Sequence, residues 1–133
     1  MADSFELEVA TPERLLTRES VREAQIPAAN GMIGVLPDHA ALLGELGTGE
    51  LTFSGAGGSR TMVVSGGWIQ VLDNHVRVLA DRAEYTNEID VARAQEALKR
   101  AQESLQTSTG SEIDVSRALN EAKRAEARLA AAR

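Results

Sequence analysis

The chain has 133 residues, enough for one sizeable domain or for a small domain with an appendage, and it carries 14 basic against 20 acidic residues, a net charge of −6. It has no cysteine and only two Phe, one Trp and one Tyr, which excludes disulfides and thiolate metal sites and leaves no stacking platform for bases or sugars. Residues 1–85 hold 6 basic and 12 acidic residues while 86–133 balance at 8 and 8, so nucleic acid is not expected as a partner, because phosphate binding needs a basic surface. There is no run of 18 apolar residues and no signal-like N-terminus, and membrane association is expected only through a partner complex.

Phe5, Leu7 and Val9 alternate with Glu6 and Glu8, which predicts a half-buried strand with an acidic outer face. Thr11-Pro12-Glu13 is a turn. Residues 15–20 and 21–26 read as two short strands, the second ended by Pro27, and Asn30-Gly31 is a hairpin signal from which the strand 32–36 departs. Residues 38–43, bracketed by Pro37 and Gly44, read as a turn that packs two leucines. Strands at 50–54 and 60–65 flank the glycine-rich tip at 55–58, and Gly66-Gly67 marks a bulge or a close backbone approach. Strands at 68–72 and 76–80 around an Asp73-Asn74 turn complete a pattern of eight to ten short strands, the mark of a β-sandwich, with Val63, Leu72, Val76, Val78 and Leu79 as expected core residues.

Composition changes near residue 85 from Gly, Val and alternation to Ala, Glu, Arg and Lys, which predicts two modules, 1–85 and 86–133. Slid by 24 residues, the segments 89–105 and 113–129 agree at 9 of 17 positions. One helix is written twice. In the first copy Val91, Ala94, Leu98, Ala101 and Leu105 recur at spacings of three and four, and in the second Val115, Ala118, Ala122, Ala125 and Leu129 do so, giving the seam of an antiparallel helical hairpin. Asn87 with Asp90 and Ser111 with Asp114 read as capping boxes, and Gln106 to Thr109 with Gly110 as the turn. Alanine favours helix but removes little area from water, so each helix is locally well specified while the docking between them is weak.

The succession Gly31-x-x-Gly34-x-Leu36-Pro37-x-His39-Ala40-x-Leu42-Leu43, then Ser65-Gly66-Gly67-Trp68, Val76 and Leu79-Ala80-Asp81, then Ile89-Asp90-x-x-Arg93-Ala94, resembles the epsilon subunit of bacterial F-type ATP synthase, in order and across nearly the whole chain. The resemblance implies a ten-stranded sandwich followed by a two-helix domain. It implies a non-catalytic rotor subunit of the central stalk, seated on the gamma subunit and the c-ring at the cytoplasmic face of the bacterial inner membrane, that helps couple proton flow to ATP synthesis. It further implies that the helices restrain ATP hydrolysis by extending along gamma toward the catalytic beta and alpha subunits. Ring contact would fall on the loop region that includes Met32, where many relatives carry an acidic residue, and His39. The family's usual proline and phenylalanine are replaced by Ala41 and Trp68.

In some relatives the folded helices bind one regulatory ATP that is not turned over, and the corresponding positions here are Glu84, Asp90, Arg93, Arg100, Arg124 and Arg128. Four arginines can neutralise a triphosphate. The bland alternative is surface ion pairing with Glu96 and Glu103, and Ile-Asp-x-x-Arg-Ala occurs twice, so it mostly reports a helix start. No cofactor is required on this reading. His39 and His75 lack metal-ligand spacing, the glycines at 55–58 lack the lysine of a phosphate loop, and Ser65-Gly66-Gly67 is no nucleophile elbow. Two other readings compete with the rotor subunit: an ATP-sensing binding module, and a structural adaptor whose hairpin only dimerises it.

Overall fold

Alternating apolar and charged residues give β1 (Phe5–Ala10) one face for the core: Phe5, Leu7 and Val9 are buried, and the residues between them face out. Seven strands follow, β2 (Leu15–Val21), β3 (Glu23–Ala28), β4 (Gly31–Val35), β5 (Leu42–Glu45), β6 (Thr48–Gly55), β7 (Gly58–Leu72) and β8 (His75–Tyr85). A 3₁₀ turn at Thr86–Glu88 leads to α1 (Val91–Thr107) and α2 (Glu112–Ala131). The computed structural model describes residues 2–107 and 112–132, and the chain divides into two units, Met1–Tyr85 and Thr86–Arg133.

Hydrogen bonding orders the strands β2-β1-β8-β7-β6-β3-β4, with β5 alongside β7. Residues 58–65 of β7 pair with β6 and 68–71 with β5, whereas β8 pairs with β7 along its length but with β1 only over 75–79. Both long strands therefore serve two layers. One layer holds β2, β1, the first part of β8, the second part of β7 and β5; the other holds the remaining parts of β8 and β7 with β6, β3 and β4. Five segments in each layer reconcile eight strands with the ten expected of a sandwich.

The crossing point is Gly66-Gly67, whose φ angles of 70° and 121° lie in the left-handed region. A Cβ on Gly67 would stand 2.0 Å from the Leu79 carbonyl oxygen, and one on Gly47 would stand 2.7 Å from that of Ala28. The bend is tied by Leu46 N donating to Gly67 O (2.9 Å) and Gly66 N donating to Gly47 O (3.1 Å). Of the two expectations for these glycines, close approach is the outcome, since the β7–β8 register is the same on both sides of the bend.

Strand parity corrects part of the expected core. Val76 and Val78 are fully buried, but Leu72 and Leu79 are 49% and 52% exposed, because they alternate with the inward residues Ile69, Val71, Val76, Val78 and Ala80. Val63 is buried outside the main cluster. The segment 38–43 likewise meets the expectation only in part: a tight turn closes at Pro37-Asp38, but only one of the two leucines packs. Leu42 opens β5 and packs against the core, whereas Leu43, opposite Gln70, is 74% exposed. β3 continues past the buried Pro27 to Ala28, and Pro27 lies beyond the stretch β3 shares with β6, so no ladder bond is lost on that side.

In the helical unit α1 and α2 pack on one another, and their short connection makes them antiparallel. Ala94 and Ala101 of α1 and Ala118 and Ala125 of α2 are buried, while Leu98, Leu105 and Leu129 are only partly covered and Val91 is 42% exposed. The seam is alanine, as its spacing predicts. The first cap is shifted, however: Asp90 is itself the N-cap, accepting the Arg93 amide on Oδ1 (3.1 Å), and Asn87 lies in the preceding 3₁₀ turn. Helix α1 also runs through Gln106 and Thr107. The rest of the expected turn, Gly110 and the Ser111 start signal lie outside the described residues.

Candidate docking surface

The outward residues of the first layer line up across its strands. Ala10 of β1 stands opposite Leu15 of β2 and beside Leu79 of β8, and Leu79 stands opposite Trp68 of β7. Leu15, Leu79 and Trp68 are each more than half exposed. The row is therefore apolar across four strands and ends at Glu45, the partner of Trp68 on β5. Leu43 and Leu72 flank Gln70 at one corner and extend the apolar area, and both are exposed as well. A contiguous apolar band on an otherwise acidic module marks a surface made for a partner.

The neighbouring rows are charged. Arg18 Nε meets Glu6 Oε1 at 2.7 Å, Arg77 Nε meets Glu8 Oε2 at 3.2 Å, and His75 Nε2 lies 3.8 Å from Glu6 and 3.6 Å from Glu8. The hydrogen bond from Arg18 holds the Glu6 carboxyl below the usual carboxylate range, and the same bond raises the Arg18 guanidinium. The His75 and Arg77 contacts exist because β1 runs parallel to β8, and the Arg18 contact because β1 runs antiparallel to β2. A shallow groove lined by Ser4, Phe5, Glu6, Arg18, Glu19, Ser20 and Asn74 borders it, and its charged groups are already paired, Arg18 with Glu6 and Glu19 with Arg60. The far end of β8 is pinned by Tyr85, whose hydroxyl donates to Leu16 O (3.0 Å) beneath the Arg60 guanidinium, 4.3 Å from the ring centroid.

The ring-contact candidates fall elsewhere on the same unit. Met32 is 56% exposed near the start of β4. His39 is half-buried in the β4–β5 connection, where Nδ1 donates to Ala40 O (2.7 Å), and Leu36 just before it is 61% exposed. The six nucleotide candidates are spread over both units. Glu84 lies on β8, Asp90 caps α1, Arg93 and Arg100 are exposed on α1, and Arg124 and Arg128 are half-buried one turn apart on α2. Among the described residues no group of three or more His, Asp or Glu side chains could hold a metal ion, and no helix is long and apolar enough to cross a membrane.

The apolar row escaped sequence reading because its members come from strands far apart in the chain. The available signal was parity: once Val76 and Val78 point inward, Leu79 must point out.

Residues 4–86 match the family described as ATP synthase, Delta/Epsilon chain, beta-sandwich domain, and residues 87–133 match its long alpha-helix domain. The ATP synthase epsilon chain of Solibacter usitatus is 56% identical over 133 residues, covering 99% of this chain and 98% of that one. The ATP synthase epsilon chain of Koribacter versatilis is 48% identical, covering 81% of this chain and 76% of that one. Among solved structures, a chain of the Euglena gracilis mitochondrial ATP synthase OSCP/F1/c-ring assembly superposes with a TM-score of 0.86 at 24% identity, over 100% of this chain and 84% of that one. A chain of the Tetrahymena thermophila mitochondrial ATP synthase central stalk and c-ring has a TM-score of 0.67 at 15% identity, with 96% of each chain covered. At these identities the two structures speak for the fold.

Proposed function

This chain belongs to the ATP synthase delta/epsilon chain family and is a non-catalytic subunit of the central stalk of an F-type ATP synthase, and from that premise we propose how its two units divide the work. The sandwich seats on the gamma subunit through the apolar row and meets the c-ring through the region of Met32 and His39. It thereby joins the shaft to the ring during coupling of proton flow to ATP synthesis. The complex holds the subunit peripherally at the cytoplasmic face of the bacterial inner membrane. The helical hairpin is the regulatory element, which reaches the beta and alpha subunits when it extends along gamma and so restrains hydrolysis.

The observation that carries the docking part is the band of Leu15, Leu79 and Trp68, three large apolar side chains each more than half exposed in register across four strands. Exposure of this kind is costly in water and is relieved by a partner, at about 25 cal/mol per Å² covered. The test is capture of purified gamma subunit by the wild-type chain and by Leu79→Glu. A charge at the centre of such a contact is expected to cost at least about 2 kcal/mol, a thirtyfold or greater loss of affinity, with the sandwich still folded because Leu79 contributes nothing to the core. Wild-type capture by the variant would remove this face from consideration.

A regulatory ATP is the second reading. Arg93 and Arg100 stand two turns apart on α1, both exposed, and Arg124 and Arg128 stand one turn apart on α2, a set of charges suited to a triphosphate. Asp90 counts against it, since one oxygen already serves as the helix cap. Equilibrium dialysis at millimolar ATP decides the matter, and absence of retention would end this reading.

A further inference from the structure

Residues 36–39 form a tight turn in which His39 N donates to Leu36 O (3.2 Å), with Pro37 second and Asp38 third at φ 66°. That is the type II arrangement, in which the third residue must be left-handed and glycine is the natural occupant. Far away in sequence, Asp73 (φ 49°) and Asn74 (φ 60°) form the two-residue turn of the β7–β8 hairpin, again left-handed without glycine. These strained positions meet. Asp38 N donates to Asn74 Oδ1 (2.6 Å), Asn74 Nδ2 donates to Asp38 Oδ1 (2.9 Å), and Ala2 N donates to Asp38 Oδ2 (3.1 Å). Glu6 N also donates to Asn74 O (2.9 Å), which brings the start of β1 to the same point.

Glycine at either position would satisfy the turn and relieve the strain, but at 74 it removes both side-chain bonds to Asp38, and at 38 it removes the carboxylate that accepts from Asn74 Nδ2 and Ala2 N, leaving only the backbone bond from residue 38 N to Asn74 Oδ1. The connection 36–41 has no strand pairing of its own, so the clasp is what ties it to a hairpin that spans both layers. We propose that Asp38 and Asn74 are positioning residues that hold the β4–β5 connection, with exposed Leu36 and half-buried His39, in the form in which it meets the ring. This rests on the reading of that connection as ring contact. A loop ordered beforehand need not be ordered on binding, so loss of the clasp weakens association without removing any contacting side chain.

The full-length chain is compared with Asp38→Gly and Asn74→Gly, which keep both turns unstrained, with Asp38→Asn, which retains an acceptor oxygen, and with Leu36→Ala and His39→Ala as contact controls. Amide hydrogen exchange is expected to show the residue 38 amide losing about tenfold of its protection in Asn74→Gly, which removes its acceptor, and the His39 amide of the same turn losing about tenfold in both glycine variants, while strand amides hold. In reconstituted enzyme the glycine variants are expected to dissociate from the stalk and ring about tenfold faster, with Asp38→Asn close to wild type. Unchanged protection in both glycine variants would overturn the clasp. Lost protection with wild-type dissociation would also overturn it, provided the contact controls dissociate faster. If the controls too behave as wild type, the ring reading fails and takes the proposal with it.

Discussion

Gly67 shows how one residue can hold a fold. Its φ of 121° is closed to other residues, and the Leu79 carbonyl oxygen occupies the space of a Cβ. Gly67→Ala is expected to destabilise the sandwich by about 3 kcal/mol or more, read as a fall in the denaturant midpoint. Gly57→Ala, where nothing lies within 4 Å, should stay within about 0.5 kcal/mol. Two carboxylates set the acid behaviour. Hydrogen bonds from the Asn74 amide and then from Ala2 N hold Asp38 below its ordinary value, as Arg18 does for Glu6. A carboxyl whose folded value is depressed stabilises the fold above its unfolded value and loses that contribution as pH falls through the folded value. Stability should therefore decline below about pH 4, and Asp38→Asn should flatten part of that decline in urea titrations at successive pH values. Both groups are exposed, so the effect is modest, and for the Glu6–Arg18 pair it shrinks further with salt. Residue roles of this kind were half legible. The glycine pair announced a special backbone, but nothing near Asp38 in sequence points to Asn74.

Among the elements, the helices were the most readable, because a 24-residue repeat and apolar spacing are local properties that survive without tertiary context. Ala94, Ala101, Ala118 and Ala125 are indeed the buried positions. The strands were readable as alternating segments, whereas which face of each meets the core was read correctly for Val76 and Val78 and wrongly for Leu79. Parity within a strand is local, so Val78 pointing inward already turns Leu79 outward, and only the choice of which face meets the core depends on partners elsewhere in the chain. The parallel pairing of β1 with β8, and with it the Glu6–His75–Glu8 cluster, had no local signal at all. The alanine seam has a direct consequence. Each buried methyl contributes about 0.8 kcal/mol, so Ala101→Glu, which places an unpaired charge there, exceeds what the seam supplies. Circular dichroism is expected to show loss of the helical transition at lower temperature, with the strand signal melting as in wild type. Simultaneous melting of both would show that the hairpin is not an independent element.

For the whole molecule the expectation concerns the assembled enzyme. A chain ending at Tyr85 keeps every strand and the Tyr85 hydroxyl bond to Leu16, so it should still bind gamma and support assembly. ATP hydrolysis by that enzyme is expected to rise severalfold over the full-length form, measured at matched subunit content, and an unchanged rate would deny the hairpin its restraining role. Two-module organisation was legible from the composition change near residue 85, since alternation and helical spacing demand different partners for their apolar faces.

Strands β7 and β8 belong to both layers and bend at one glycine pair. A stack of two separate leaves would resist shear only through side-chain packing between them. Here a twisting load on one leaf passes along continuous covalent backbone into the other, so the block should turn as a single stiff piece, which is what the proposed place between a driven ring and the shaft it drives would demand.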